Sequence, residues 1–282
     1  MHIRNPVEWG VDQLRVAGSA IGRRQHPTRD LTAPAIRHIT VADLQAALAR
    51  GLDDFAAFRT DVVFVCVVYP VVGLVLARLA FGYGLLPLVF PLVSGFALIG
   101  PAAAVGLYEM SRQRQAGAEV GWEAAIGVFR APAFPAIVAF GVLLLAIFLM
   151  WLGAAIAIYD ATLGPEPPAS IGAFARDLFT TDRGWALIGI GIGVGFLFAV
   201  LVLAISVVSV PLLLDRDVGL DTAIATSLRA VAANPGTMAA WGAIVAGLLV
   251  LGSIPLLLGL IVVMPVLGHA TWHLYRRVVV PE

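Results

Sequence analysis

Long apolar runs separated by short polar connections dominate the chain. Val62–Phe81 is apolar apart from Arg78, Leu85–Met110 is apolar until Glu109, and only Gly82-Tyr83-Gly84 lies between them. Further runs cover Pro135–Ile158, Trp185–Leu214 and Met238–Ala270, the last carrying Gly252-Ser253-Ile254-Pro255 near its middle. A helix rises about 1.5 Å per residue, so about 20 residues cross the ~30 Å hydrocarbon core of a bilayer. Met238–Ala270 is too long for one crossing. Its Gly/Pro break predicts two short spans, a single long kinked helix being the alternative. The pattern therefore predicts an all-α membrane protein with six transmembrane helices, at about 62–81, 85–110, 135–158, 185–214, 237–253 and 255–274, paired as three hairpins.

A helical period of apolar residues precedes each hairpin. Thr40 and Asp43 form an N-cap ahead of Leu44, Leu48, Leu52 and Phe55; Trp122, Ile126 and Phe129 share a second face; Ile224, Leu228 and Val231 share a third, stopped by Asn234-Pro235. Such short amphipathic helices beside a span are expected to lie in the membrane interface. Residues 1–39 read as a polar cytoplasmic segment with a short helix after Asn5-Pro6 and then linker; without an apolar core the segment is no signal peptide. Residues 40–282 form the membrane domain. Each block then has the same plan of interfacial helix, outward span and return span, with Pro101, Pro211 and Pro265 marking the returns. A threefold internal repeat is the expectation, stacked because one unit alone has too little interior.

Composition narrows the class. Hydrophobic residues make up 60% and charged residues 13%, which excludes a soluble enzyme, where about 25% would be charged. The net charge is zero, and no basic block is present to bind nucleic acid. The lone cysteine, Cys66, lies in an apolar run and has no partner for a disulfide within the chain. Arginines concentrate in the N-terminal segment, the 111–134 and 215–236 connections and the C-terminus. The positive-inside rule then puts both termini in the cytoplasm of a bacterial inner membrane, and the acidic, proline-rich insert between Tyr159 and Gly184 in the periplasm.

Chemistry-bearing residues are sparse. His269 and His273 stand four apart, so both rings leave one helix face, a spacing at which two imidazoles can share a transition metal or one can ligate haem. Glu109 and Asp215 end the other two return spans and can complete a histidine/carboxylate set if the repeat holds. The simpler reading takes His, Trp, Tyr and Arg at this depth as interfacial anchors, with no cofactor. No ionisable side chain falls in the middle of a predicted span, which argues against ion-coupled transport. Motifs for hydrolases, zinc proteases and nucleotide binding are absent, so no catalytic residue is assigned and no enzyme is expected.

Three stretches carry a resemblance: Ile36-Arg37-His38-Ile39-Thr40-Val41-Ala42-Asp43-Leu44, Gly95–Pro101 with Gly106-Leu107-Tyr108-Glu109, and Leu267–Arg276. From about residue 34 onward the chain resembles the bacterial integral-membrane family called domain of unknown function 2189. The resemblance implies a polytopic fold and no established activity; a loose labelling of some members as cytochrome c oxidase components implies a respiratory setting. The expected role is an accessory, assembly or scaffold component of a membrane complex, with lipid and neighbouring subunits as partners. The alternatives are a lipid- or small-molecule-handling protein with a cavity between hairpins, and a haem- or metal-binding protein using His269 and His273.

Overall fold

The computed structural model describes residues 34–66, 71, 73–75, 78, 86–118 and 120–281, and these form the unit that begins at Pro34. The N-terminal helix expected after Asn5-Pro6, half of the span at 62–81 and the turn at Gly82–Gly84 lie outside the described residues. Among those described, the architecture is all-α. The helices are α1 (Val41–Cys66), α2 (Val89–Ala103), α3 (Val105–Gln115), α4 (Trp122–Gly127) and α5 (Phe134–Thr162). They continue with α6 (Ile171–Thr180), α7 (Asp182–Ser206), α8 (Ser209–Asp215), α9 (Leu220–Ala233), α10 (Pro235–Ser253) and α11 (Leu260–Val278).

Among the described residues, four stretches are long and apolar enough to cross a membrane: Leu86–Gln115, Phe134–Thr162, Asp182–Asp215 and Pro235–Ser253. Each coincides with an expected span. The sixth expected span, at 255–274, is not among these four. The C-terminal half of α11 is rich in His, Trp, Tyr and Arg, and from Met264 to Tyr275 nearly every residue is buried in protein. The break before it runs from Ile254 to Gly259 and holds Leu256 and Leu257 at positive φ (53° and 66°), so Met238–Ala270 is two helices and not one.

The first amphipathic helix is also not a separate interfacial piece. Its start is as expected: the Thr40 N–H and hydroxyl both donate to Asp43 Oδ2 at 2.9 Å. The helix then continues unbroken to Cys66, because Arg59-Thr60-Asp61 contains nothing that stops a helix. Its stripe Leu44, Ala47, Gly51, Asp54 and Phe58 recurs every three or four residues and is buried. That stripe lies along α11. At Gly51 the backbones approach so closely that a methyl would sit 2.7 Å from Ala270 Cβ and from the Ala270 nitrogen, so only glycine fits.

Two return spans are jointed. The α2–α3 helix breaks at Ala104 shortly after Pro101, and α7–α8 breaks at Val207 and Val208 just before Pro211. A proline has no N–H to give the preceding turn, which makes these the weak points of each ladder. α11 passes Pro265 without a break. The jointed ends α3 and α8 pack with α11, the lower half of α1, and α9 into a cap whose core includes Leu44, Met110, Leu212, Leu213, Ala223 and Tyr275.

An edge that no periodicity announces closes the cap. Ile36 and Val279 form an antiparallel bridge, with Arg37 N–H donating to Val278 O and Val280 N–H to Ala35 O. Asn234 fastens the same segment: its Oδ1 accepts from Ile39 N–H at 2.8 Å, and its amide donates to Arg37 O and Ala230 O. Beyond the cap, α2, α5 and α7 continue as apolar rods tied by Trp151, whose indole donates to Pro91 O at 3.0 Å. Val142, Leu149, Met150, Phe196 and Leu197 project outward from α5 and α7, as lipid-facing side chains do.

Candidate functional site

Because α1 lies so close to α11 at Gly51, the next residue of its buried stripe, Asp54, reaches the histidine face of α11. α3 closes the third side with Ser111 and Arg114. Asp54 Oδ2 accepts from Ser111 Oγ at 2.6 Å and from His273 Nε2 at 2.8 Å; Oδ1 accepts from Arg114 Nη1 at 2.7 Å. Ser111 Oγ also lies 2.8 Å from His269 Nδ1. A hydroxyl has one proton, and here Asp54 takes it, so the remaining bond runs from His269 Nδ1–H to the serine oxygen. Arg114 additionally donates to Asp53 O and lies over the Phe58 ring, which itself neighbours His269.

Burial makes this a high-stakes network. Asp54, Ser111, His269 and His273 are each at most 6% exposed, and polar groups so deep are costly unless paired. Burial pushes the Asp54 carboxyl up, but the hydrogen bonds from His273 and Ser111 outweigh it and hold the group below the usual carboxylate range. It therefore serves as an anionic acceptor for three donors from two other helices. Two imidazole nitrogens, His269 Nε2 and His273 Nδ1, have no hydrogen-bond partner among the described residues.

The chemistry differs from nucleophile activation. In a hydrolase relay the imidazole sits between carboxylate and hydroxyl and takes the serine proton as base. Here Ser111 sits between Asp54 and His269 and donates its hydrogen bond directly to the carboxylate. The arrangement fixes imidazole tautomers and ties α1, α3 and α11 together.

Glu109 and Asp215 are placed elsewhere. Glu109 receives two bonds from Arg112, each 2.7 Å, and one from Gln113. Asp215 at the end of α8 accepts from Tyr275 Oη at 2.6 Å and Arg276 Nη1 at 2.9 Å. The two expected carboxylates thus neutralise arginines beside the α3, α8 and α11 ends, and the carboxylate that meets the histidines is Asp54. Among the described residues, no three His, Cys, Asp or Glu side chains gather in an arrangement that would hold a metal ion. Asp54 was readable in principle: a carboxylate on the apolar stripe Leu44–Ala47–Gly51–Asp54–Phe58 must find a buried partner. Ser111, likewise, falls one turn after Leu107 on the buried face of α3.

Near the start of α1, Asp43 accepts from Thr40 and from Arg277 Nη1 at 2.6 Å. The Thr40 N–H foremost, with Arg277 beside it, lowers the Asp43 carboxyl from its ordinary value.

Apolar helices of spanning length on a buried polar cap define a polytopic α-helical membrane protein. A model of the family described as predicted integral membrane protein (DUF2189) matches residues 89–215, from the start of α2 to the end of α8. Ser111 and Arg114 lie within the matched stretch; Asp54, His269 and His273 lie outside it. No curated protein and no solved structure matches the chain.

Proposed function

We propose that this protein is a non-enzymatic accessory or scaffold component of a membrane complex, seated in a bacterial inner membrane as six spans in three hairpins with both termini cytoplasmic. One observation carries the reading. The cap has a buried core crossed by hydrogen bonds, whereas only 24%, 28% and 17% of the most apolar parts of Leu86–Gln115, Phe134–Thr162 and Pro235–Ser253 is buried. Most of the surface of these three stretches is therefore offered to lipid and to neighbouring helices, while Asp182–Asp215 is 56% buried. The arginines of the cap and its connections agree with a cytoplasmic base. Affinity purification from native membranes in mild detergent, followed by mass spectrometry, tests the role: a defined set of membrane subunits should co-purify in fixed ratio. A clean monomer overturns it.

A second reading rests on the free imidazole nitrogens. His269 Nε2 and His273 Nδ1 are buried and have no partner among the described residues, while the opposite nitrogen of each ring is held by Ser111 or Asp54. Metal-ligating imidazoles are oriented in the same way, through a hydrogen bond from the other nitrogen. On this reading the pair ligates a transition metal or haem, with further ligands from outside the set. Visible absorbance and elemental analysis decide it, and a colourless, metal-free preparation from native membranes ends it.

A further inference from the structure

The connection between α5 and α7, on the side away from the cap, contains a helix whose apolar face is only partly used by the protein. Ser170 caps α6 by accepting from Ala173 N–H, and Ile171, Phe174, Leu178 and Phe179 then follow at helical spacing. Phe174 meets the Tyr159 ring at the end of α5, and the backbone carbonyls of Asp177 and Leu178 lie against Gly184 in the first turn of α7. Ile171 and Phe179 face outward, 62% and 59% exposed. Arg176 and Asp177 occupy the other side.

The depth of this helix follows from α5. Outward-facing apolar residues run from Val138 through Val142, Leu149 and Met150 to Ile156, and the run closes at Ile158, before Tyr159 and Asp160. Val138–Ile158 at about 1.5 Å per residue is about 31 Å, the thickness of a hydrocarbon core. Tyr159, the residue α6 touches, is therefore at the hydrocarbon boundary. Trp185 on α7 is 59% exposed beside the same helix, a position that aromatic anchors favour.

We infer that α6 is an interfacial membrane-binding helix that seats Ile171 and Phe179 in the acyl–headgroup boundary of the leaflet opposite the cap. The occupant is the lipid interface because the exposed face continues the lipid-facing belt of α5 at its end. Recognition is apolar and independent of lipid charge: from Asp160 to Arg183 the connection carries Asp160, Glu166, Asp177 and Asp182 against Arg176 and Arg183, so anionic headgroups are not attracted.

The test uses the full chain in nanodiscs of phosphatidylcholine alone. Spin labels are placed by Ile171→Cys, Phe179→Cys and, as the polar-face control, Arg176→Cys, each in a Cys66→Ala background that removes the one native thiol. Labels at 171 and 179 should show severalfold more contact with oxygen, relative to a water-soluble nickel chelate, than the label at 176. Adding phosphatidylglycerol should leave that ratio unchanged. Equal chelate access at all three positions overturns the inference, and so does burial at 171 and 179 that arises only when a second protein is added. Immersion that needs the anionic lipid overturns its charge independence.

Discussion

Removing the Asp54 carboxylate should be among the most damaging single changes to the cap. In Asp54→Ala, Ser111 Oγ–H and His273 Nε2–H lose their acceptor in a place where water does not replace it. Each buried donor left without a partner costs about 1–3 kcal/mol. Arg114 loses a bond too, but its side chain is 40% exposed and rehydrates, so that contribution is at most about 1 kcal/mol. The sum is about 2–7 kcal/mol against a typical total of 5–15 kcal/mol. Ser111→Ala removes one bond to Asp54 and strands His269 Nδ1–H, which should cost about 1–3 kcal/mol. Because both variants break the same Ser111–Asp54 bond, the double variant should cost less than the two singles together by about 0.5–3 kcal/mol.

Reversible unfolding in mixed detergent micelles, driven by increasing dodecyl sulfate and read by tryptophan fluorescence, measures all four corners of that cycle. Asp54→Asn keeps one acceptor oxygen and should fall between wild type and Asp54→Ala. A loss below about 1 kcal/mol for Asp54→Ala, or strict additivity with Ser111→Ala, would refute the claim that the network staples three helices.

Gly51→Val should part α1 from α11 at a cost of about 1–3 kcal/mol or more, since the new Cβ would lie 2.7 Å from Ala270 and 2.8 Å from Val266 O; the same unfolding assay reads it. Gly184→Ala should loosen α6, because a methyl there would fall on the carbonyls of Asp177 and Leu178, and limited proteolysis should become faster in the Pro165–Ser170 connection. Asp43 has a depressed carboxyl in the folded chain, so its contribution is complete above the unfolded value of about 3.9 and disappears as pH falls through the folded value. The melting-temperature gap between wild type and Asp43→Asn should therefore be present at neutral pH and shrink toward zero in strong acid. A gap that persists there would mean that the carboxylate's charge is not its source.

Where a feature depends on local spacing, the chain disclosed it. The apolar runs at 85–110, 135–158, 185–214 and 237–253 correspond to the four helices of spanning length, and the Thr40–Asp43 cap is in place. Boundaries set by tertiary contact were less legible. α1 runs past Asp61 because nothing local stops it, and its amphipathic stripe packs on protein; one hydrophobic period serves either a membrane interface or a helix partner. The C-terminal half of α11 has the composition of an interfacial anchor, yet its residues are buried because three other helix ends surround them. The bridge from Ile36 to Val279 joins opposite ends of the unit, a separation over which no pattern in the intervening chain operates.

The histidines show the same division. Their four-residue spacing correctly puts both rings on one face of α11, but spacing alone cannot say which acid arrives there. Register against Pro101 and Pro265 would bring Glu109 to their depth, yet depth is not proximity: Arg112 stands one turn from Glu109 on its own helix and holds it. Asp54 wins because of a glycine. Without a side chain at Gly51, α1 settles against Ala270, and the residue three positions further along necessarily projects between His273 and Ser111. A carboxylate forced into that gap must be ionised by its donors or expelled, and three donors from two helices keep it in place. The close helix approach and the polar network are thus one structural decision, which is why Gly51→Val and Asp54→Ala, three residues apart and chemically unlike, should weaken the same contact between α1 and α11.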